Sequence, residues 1–337
     1  MLSMFNGLPS TPGLLTMVIL SGIAVLCLML ACMPALIRYL RKLKYGQTER
    51  EEGLESHKAK SGTPTMGGIA FVLIPVLVYL VYYAFFRPFG WTINTAIVLL
   101  AYVGYGLIGF ADDYLIVVQH SNIGLKPKLK FGLQSILALV LIALYLMYNE
   151  PAFYLHNLSF AVLPTWLFVI IAFFMFTGTT NAVNLSDGVD GLCAGLCIAA
   201  FIPFLCFAVW MNDLNTALIL FLVICALIGY LFFNIHPAKV FMGDTGSLAL
   251  GGLLAAAAMV TQTELYLLIA GIVFIAEALS DIIQVTYYKK TRKRIFLMAP
   301  LHHHFEKKGW SEMKVCYVFW GCGMAAGALS ILLAILH

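Results

Sequence analysis

Ten apolar stretches, each close to the roughly 17 to 25 residues that cross the hydrocarbon of a bilayer, follow one another along 337 residues and leave room for little else. They run near 14–37, 67–86, 93–111, 131–147, 166–183, 192–211, 216–233, 248–260, 265–285 and 316–336. With 62% of residues hydrophobic and a mean hydropathy of +0.93, the chain has more apolar surface than a soluble core of this size can hide, so lipid is its solvent. The eighth run is short, and the ninth carries Glu277 and Asp281.

The charges test this count independently, because loops on the cytoplasmic side collect Lys and Arg. With the N-terminus outside, the inner connections hold seven basic residues (Arg38 to Lys60), three (Lys126, Lys128, Lys130), none, one (Lys239) and eight (Lys289 to Lys314). Nineteen of the twenty therefore fall on one side and only Arg87 on the other. A missed or invented helix would scramble the later loops. The expected fold is an all-α integral membrane protein of ten transmembrane helices, N-out and C-out. It forms a single polytopic domain over 1–337, with an active surface made by connections at 38–66, 112–130, 184–191, 235–246 and 286–314. The net charge of +4 then belongs to a face beside the membrane and does not indicate a nucleic-acid partner.

The first apolar run is too long for a signal-peptide core, and its basic residues follow it; it reads as an anchor that stays. All eight cysteines lie inside apolar segments with no C-x-x-C pair. They read as small buried hydrophobes, without a disulfide framework or zinc site.

Acidic residues are more informative. Glu49, Glu51, Glu52 and Glu55 belong to a solvated mixed-charge stretch, but Asp112, Asp113, Asp187, Asp190, Asp244 and Asp281 each lie near the inner end of a helix. The topology gathers them from four connections at one depth. Like-charged carboxylates repel unless a cation sits among them, and oxygen donors at a wet site beside a phosphate suit magnesium. A lone Asp-Asp pair could equally mark the water boundary.

Two of these connections, "NLSDGVDGLCAG" (184–195) and "FMGDTGSLALGG" (241–252), put Asp and Gly just ahead of an apolar helix. Helix N-termini present unpaired N–H groups to anions, and glycine lets a phosphate come close. Each is also compatible with an ordinary capping turn using Ser186 or Ser247. In the last inner connection a basic run and an apolar break precede His302, His303 and His304. Three consecutive histidines cannot share one helix face, so contacts to an anionic substrate fit better than a tight zinc site. Glu277, Asp281 and Gln284, spaced i, i+4, i+7, share a face that should point into the bundle. The outer stretch 149–164 alternates like a small hairpin.

The segments "HKAKSGTPTMGG" (57–68), "ADDY" (111–114), "NLSDGVDGL" (184–192), "FNIHPAKVFMGDTGS" (233–247) and "PLHHHFEKKGW" (300–310) resemble, in order, those of the polyprenyl-phosphate N-acetylhexosamine-1-phosphate transferases. "GTPTMGG" and the triple histidine point within them to the phospho-N-acetylmuramoyl-pentapeptide transferase branch. The resemblance implies a Mg2+-dependent membrane enzyme that moves phospho-MurNAc-pentapeptide from UDP-MurNAc-pentapeptide to undecaprenyl phosphate. The products would be lipid I and UMP, in the peptidoglycan synthesis of a bacterial inner membrane.

By motif position Asp244 would hold the metal, Asp112 would deprotonate or orient the lipid phosphate, Asp113 would be its neighbour, and Asp187 would join the cluster. Lys60, Gly188, Val189, Asp190 and Phe241 would line the uridine pocket. Thr65, Lys128 and Asn184 would also contact substrate, Asn234 and Gln284 would form the polar wall, and His302 to His304 would serve recognition. Where the family continues Asp-Asp-x-x-Lys, this chain has Ile116, so either Lys126, Lys128 or Lys130 supplies the charge of that lysine or its role does not apply here. The resemblance also allows a homodimer. A sibling enzyme using a GlcNAc donor is the nearest alternative, and an ion-coupled transporter is the distant one. Transporters set acids at mid-membrane in repeated halves, whereas here the acids lie at one face and no repeat is visible.

Overall fold

A computed structural model describes residues 12–44, 62–86, 90–119, 124–154 and 160–336. Within them α1 (Pro12–Lys44), α2 (Gly68–Phe86), α3 (Ile93–Gln119), α4 (Pro127–Leu146), α5 (Thr165–Leu185), α6 (Leu192–Trp210), α7 (Leu214–Asn234), α8 (Gly243–Val260) and α12 (Glu312–Ile335) are long and apolar enough to cross a membrane. Between α8 and α12 lie α9 (Glu264–Ala270), α10 (Ile272–Thr291) and the short α11 (Leu301–Lys307). α9 and α10 meet at a 76° bend at Gly271 and together are long and apolar enough for a tenth, broken span or a re-entrant segment. The chain is thus a multi-pass, all-α membrane protein, apart from one hairpin.

Burial sorts the helices. Every residue of α8 from Thr245 to Val260 is buried; a helix apolar or small all round belongs at the centre. Its composition of Gly, Ala and Ser lets neighbouring backbones approach where lipid supplies no hydrophobic drive. Gly109 of α3 lies against the Asp244–Thr245 peptide so closely that a side-chain carbon would strike the Asp244 carbonyl. α1 and α12 are peripheral, with Leu20, Ile23, Leu329 and Leu332 exposed where acyl chains would lie. Of the cysteines, Cys193, Cys197 and Cys316 are buried as expected, but Cys27, Cys32 and Cys322 are exposed on these outer helices. In lipid an apolar side chain need not be hidden to be comfortable.

Several boundaries differ from the sequence reading, two of them at the aspartates. α3 continues past the paired aspartates to Gln119, because the apolar run 114–118 carries no breaker. Asp112 and Asp113 therefore sit on a helix, not in a loop. α8 starts five residues before its apolar run, at Gly243, so Asp244 occupies its first turn. The hairpin is present as β1 (Ala152–Tyr154) and β2 (Phe160–Val162), with Phe153 opposite Ala161. It is tied to the α8–α9 connection by Tyr154 N–H donating to the Gln262 carbonyl at 2.7 Å.

Candidate active site at the helix ends

The acidic corner forms where α3, α4, α5 and α8 end or begin. Asp113 is buried and accepts the Asp244 amide (3.2 Å), the Thr245 amide (2.9 Å) and the Thr245 hydroxyl (2.6 Å). It caps the first turn of α8 from a neighbouring helix, satisfying N–H groups that α8 cannot satisfy itself. Asp112, one residue earlier, points elsewhere. Its Oδ1 accepts the Leu125 amide at 2.9 Å and its Oδ2 lies 3.8 Å from Lys130 Nζ.

Asp244 remains 24% exposed at its side chain. Its Oδ1 accepts Asn184 Nδ2 at 2.7 Å, its Oδ2 pairs with Lys130, and Asn184 also donates to Ser247 Oγ at 2.8 Å. Of the three candidate lysines it is Lys130, on the first turn of α4, that enters the cluster, while Lys126 and Lys128 are exposed. Lys130 carries the cation that the facing carboxylates require, and it reaches them from a different helix than the family's lysine position would.

The second corner joins the Gly-rich connections. Asn234 accepts the Gly191 amide (3.0 Å) and donates to the Val240 carbonyl (2.9 Å). The "GTPTMGG" segment pairs with "FMGD": Phe241 N–H donates to the Pro64 carbonyl, and Gly67 and Gly68 N–H donate to the Phe241 and Met242 carbonyls, at 2.8 to 3.0 Å. Thr65 and Phe241 are half-buried beside these contacts, as are Asn184, Asp187 and Gly188. Asp190 is buried; its Oδ2 meets His236 Nδ1 and the Ala238 amide, both at 3.0 Å, and Glu312 Oε1 lies 3.6 Å from the same imidazole. Ligand atoms of Asp190, His236 and Glu312 all lie within 4.8 Å of one another, a grouping able to hold a metal ion.

The third corner is the stripe of α10. Glu277 accepts the His302 amide (3.2 Å) and His302 Nδ1 (3.0 Å). Gln284 accepts the Ile295 and Phe296 amides (3.0 Å each) and donates to the Phe296 carbonyl (3.1 Å), so all its polar atoms hold the basic loop. The three histidines face different ways, as helix geometry demands. His302 faces Glu277, His303 pairs with Glu306 at 2.7 Å, and His304 Nδ1 accepts the Leu297 amide at 3.1 Å. Desolvation, then the Lys308 charge, pushes the His304 imidazole below its ordinary value, in keeping with an acceptor Nδ1.

The structure thus gathers Asp112, Asp113, Lys130, Asn184 and Asp244 in one hydrogen-bonded cluster, with Asp190 in the adjoining loop and Asn234 at the end of α7 beside it, whereas Lys128 stays outside. Lys60 lies outside the described residues. Sequence reasoning missed His236 and Glu312. His236 stood inside a quoted motif, but Glu312 follows Ser311 at the start of α12 and reads as an ordinary first-turn acid.

These helix ends bring oxygen donors and an amine around a partly exposed carboxylate at the ends of membrane-spanning helices, a donor set compatible with phosphorylated substrates. In agreement, residues 95–262 match the family model described as glycosyl transferase family 4, and residues 60–72 match phospho-N-acetylmuramoyl-pentapeptide-transferase signature 1. The chain is 43% identical to the phospho-N-acetylmuramoyl-pentapeptide-transferase of Staphylococcus saprophyticus, over 94% of this chain and 98% of that one. It is 46% identical to those of Bacillus subtilis (88% and 92%) and Heliobacterium modesticaldum (89% and 92%). The chain belongs to the phospho-N-acetylmuramoyl-pentapeptide-transferase family.

Proposed function

We propose that this transferase moves phospho-MurNAc-pentapeptide from UDP-MurNAc-pentapeptide to undecaprenyl phosphate, releasing UMP and forming lipid I, with the site on the cytoplasmic face of a bacterial inner membrane. The observation that carries the reading is Asp244, held by Asn184 and Lys130 at the first turn of α8 with Asp112 alongside. Phosphoryl transfer asks mainly for positioning and charge neutralisation, and these groups supply both.

The oxygen donors of Asp244 and Asp112 suit a hard cation, and Asp244 is the carboxylate that keeps an open edge; Asp113, spent on α8, is not a ligand. Magnesium held at Asp244 would neutralise charge on the diphosphate and the departing UMP. Lys130, freed from Asp244 by that charge, would hold the lipid phosphate. A phosphate monoester with a second pKa near 6 is mostly dianionic at neutral pH, so Asp112 is read as orienting the acceptor and not as a required base. The loops at Gly188–Gly191 and Phe241 would receive the nucleotide, with the Phe241 ring as stacking face.

An apolar cavity of about 460 Å³ between α5, α8 and the bent α9–α10 pair, lined by Ile170, Phe174, Leu268 and Ala278 and reaching Ala182, suits a prenyl chain two residues from Asn184. The basic residues of these loops support a cytoplasmic position for this face by the charge rule.

UMP release from purified protein with undecaprenyl phosphate tests the reading. Magnesium-dependent release with UDP-MurNAc-pentapeptide and not UDP-GlcNAc is expected, lost in Asp244→Ala. Release with UDP-GlcNAc alone would move the donor assignment to the sibling reaction, and release with neither would refute the site.

A further inference from the structure

Glu277 and His302 meet in a dry polar contact: 0% and 1% of their surfaces are exposed. A carboxylate has no hydrogen to give. Glu277 Oε1 takes the His302 amide and Oε2 faces Nδ1, so the hydrogen of that second bond belongs to Nδ1. In a neutral imidazole the other nitrogen then bears the lone pair. That nitrogen, Nε2, is buried and has no hydrogen-bond partner among the described residues. It lies against Gly188, where any side-chain carbon would collide with it. A strut that merely packed two elements would not need a ring nitrogen there, since leaving a buried acceptor unmade is a standing cost.

We propose that Glu277 is a positioning residue that fixes His302 with its hydrogen on Nδ1, keeping Nε2 as the acceptor for an N–H or O–H group of the nucleotide donor. The proposal rests on the reading above that the Gly188 loop lines the donor pocket. Donor entering beside Gly188 would displace that contact, uncover Nε2 and complete its missing bond. His303, whose ring centroid is 4.1 Å from that of His302, turns its Nδ1 to Glu306 and does not compete for Glu277. The absence of a side chain at 188 leaves the acceptor reachable by this movement alone.

The test uses full-length protein carrying 15N-histidine, with His302 assigned by signal loss in His302→Asn among eight histidines. Wild type is expected to show a protonated Nδ1 and a bare Nε2, and added UMP should shift the Nε2 signal. A protonated Nε2, or no response to UMP, in wild-type protein overturns the proposal; the His302→Asn preparation serves only to assign the signal. In parallel, Glu277→Gln, which replaces a double acceptor by one acceptor and one donor, should raise the KM for the UDP donor about tenfold, the worth of one hydrogen bond. The KM for undecaprenyl phosphate should not change, and the tautomer should become mixed. Equal losses for both substrates, or an unchanged donor KM, would leave Glu277 structural. If wild type releases no UMP, the functional reading fails, while the tautomer is still read from the nitrogen signals alone.

Discussion

At the acidic corner, Asp244 keeps 24% of its side chain exposed and divides its oxygens between an amide and an ammonium; at the histidine corner, Glu277 has no exposure and gives both oxygens to one residue. The wet corner holds a lysine on a flexible stem, whose charge can move from a carboxylate to an incoming phosphate at modest cost. In the dry corner the same exchange would strand a buried charge. The first corner is therefore suited to chemistry that must accept and release phosphates, as proposed for Asp244 and Lys130, and the second to recognition that must keep one geometry.

The largest break in this comparison is expected from Asp244→Ala. Removing the group that anchors charge neutralisation should lower UMP release on the order of 10³-fold or more, as for other electrostatic anchors, and abolish any magnesium dependence of the remaining rate. A variant that retains a tenth of wild-type turnover would contradict the assignment. Next comes Lys130→Ala, expected to cost roughly 10²-fold with its main effect on the lipid phosphate, whereas Lys128→Ala, exposed and outside the cluster, should stay within about threefold. Equal effects of the two would mean that the phosphate is held elsewhere.

The adjacent aspartates sharpen the contrast, because one serves each purpose. Asp112→Asn should reduce turnover about 10²-fold, the scale of a misplaced acceptor, with little change in melting temperature. Asp113→Asn should instead lower the melting temperature clearly, since an amide N–H2 turned toward the Asp244 and Thr245 donors leaves buried groups unpaired at about 1–3 kcal/mol each. Thermal unfolding and UMP release measured on the same preparations separate the two. A smaller effect is expected from Gln284→Ala. Freeing the Ile295–Phe296 backbone loosens the loop that leads to His302, a few-fold rise in donor KM being about what one lost neutral contact gives.

The spans were legible because lipid enforces length and apolarity, and the acids and glycines were legible because so few polar residues survive in such a chain. Pairing was not. Asp112 and Asp113 are identical in the sequence, yet a turn of about 100° per residue on α3 sends one to the helix end of α8 and the other to Leu125 and Lys130. Lys128 and Lys130 are similarly alike until α4 begins at Pro127 and turns only the second inward. Glu277 was legible as facing the bundle, but its partner lies 25 residues away, beyond any local periodicity. Gly271 could be read as a residue, not as a bend, because a single glycine inside an apolar run is tolerated without a kink.

The smallest effect isolates capping from chemistry. Asp213 accepts the Thr216 amide at 3.2 Å and the Thr216 hydroxyl at 2.9 Å, capping α7 at the end of the bundle opposite the site. It thus does for α7 what Asp113 does for α8. Burial raises its carboxyl above the ordinary range, against the hydrogen bonds from Thr216 that lower it. Asp213→Ala should cost about 1 kcal/mol of stability, typical of a lost N-cap, and leave the KM of both substrates and the turnover unchanged. Since Asp113 and Asp213 share the capping task, activity lost in Asp113→Asn beyond what the Asp213 variant loses at equal destabilisation measures how far the first turn of α8 must be held for Asp244 to work. Parallel losses in the two would mean that helix stability alone, and not the placement of Asp244, limits the enzyme.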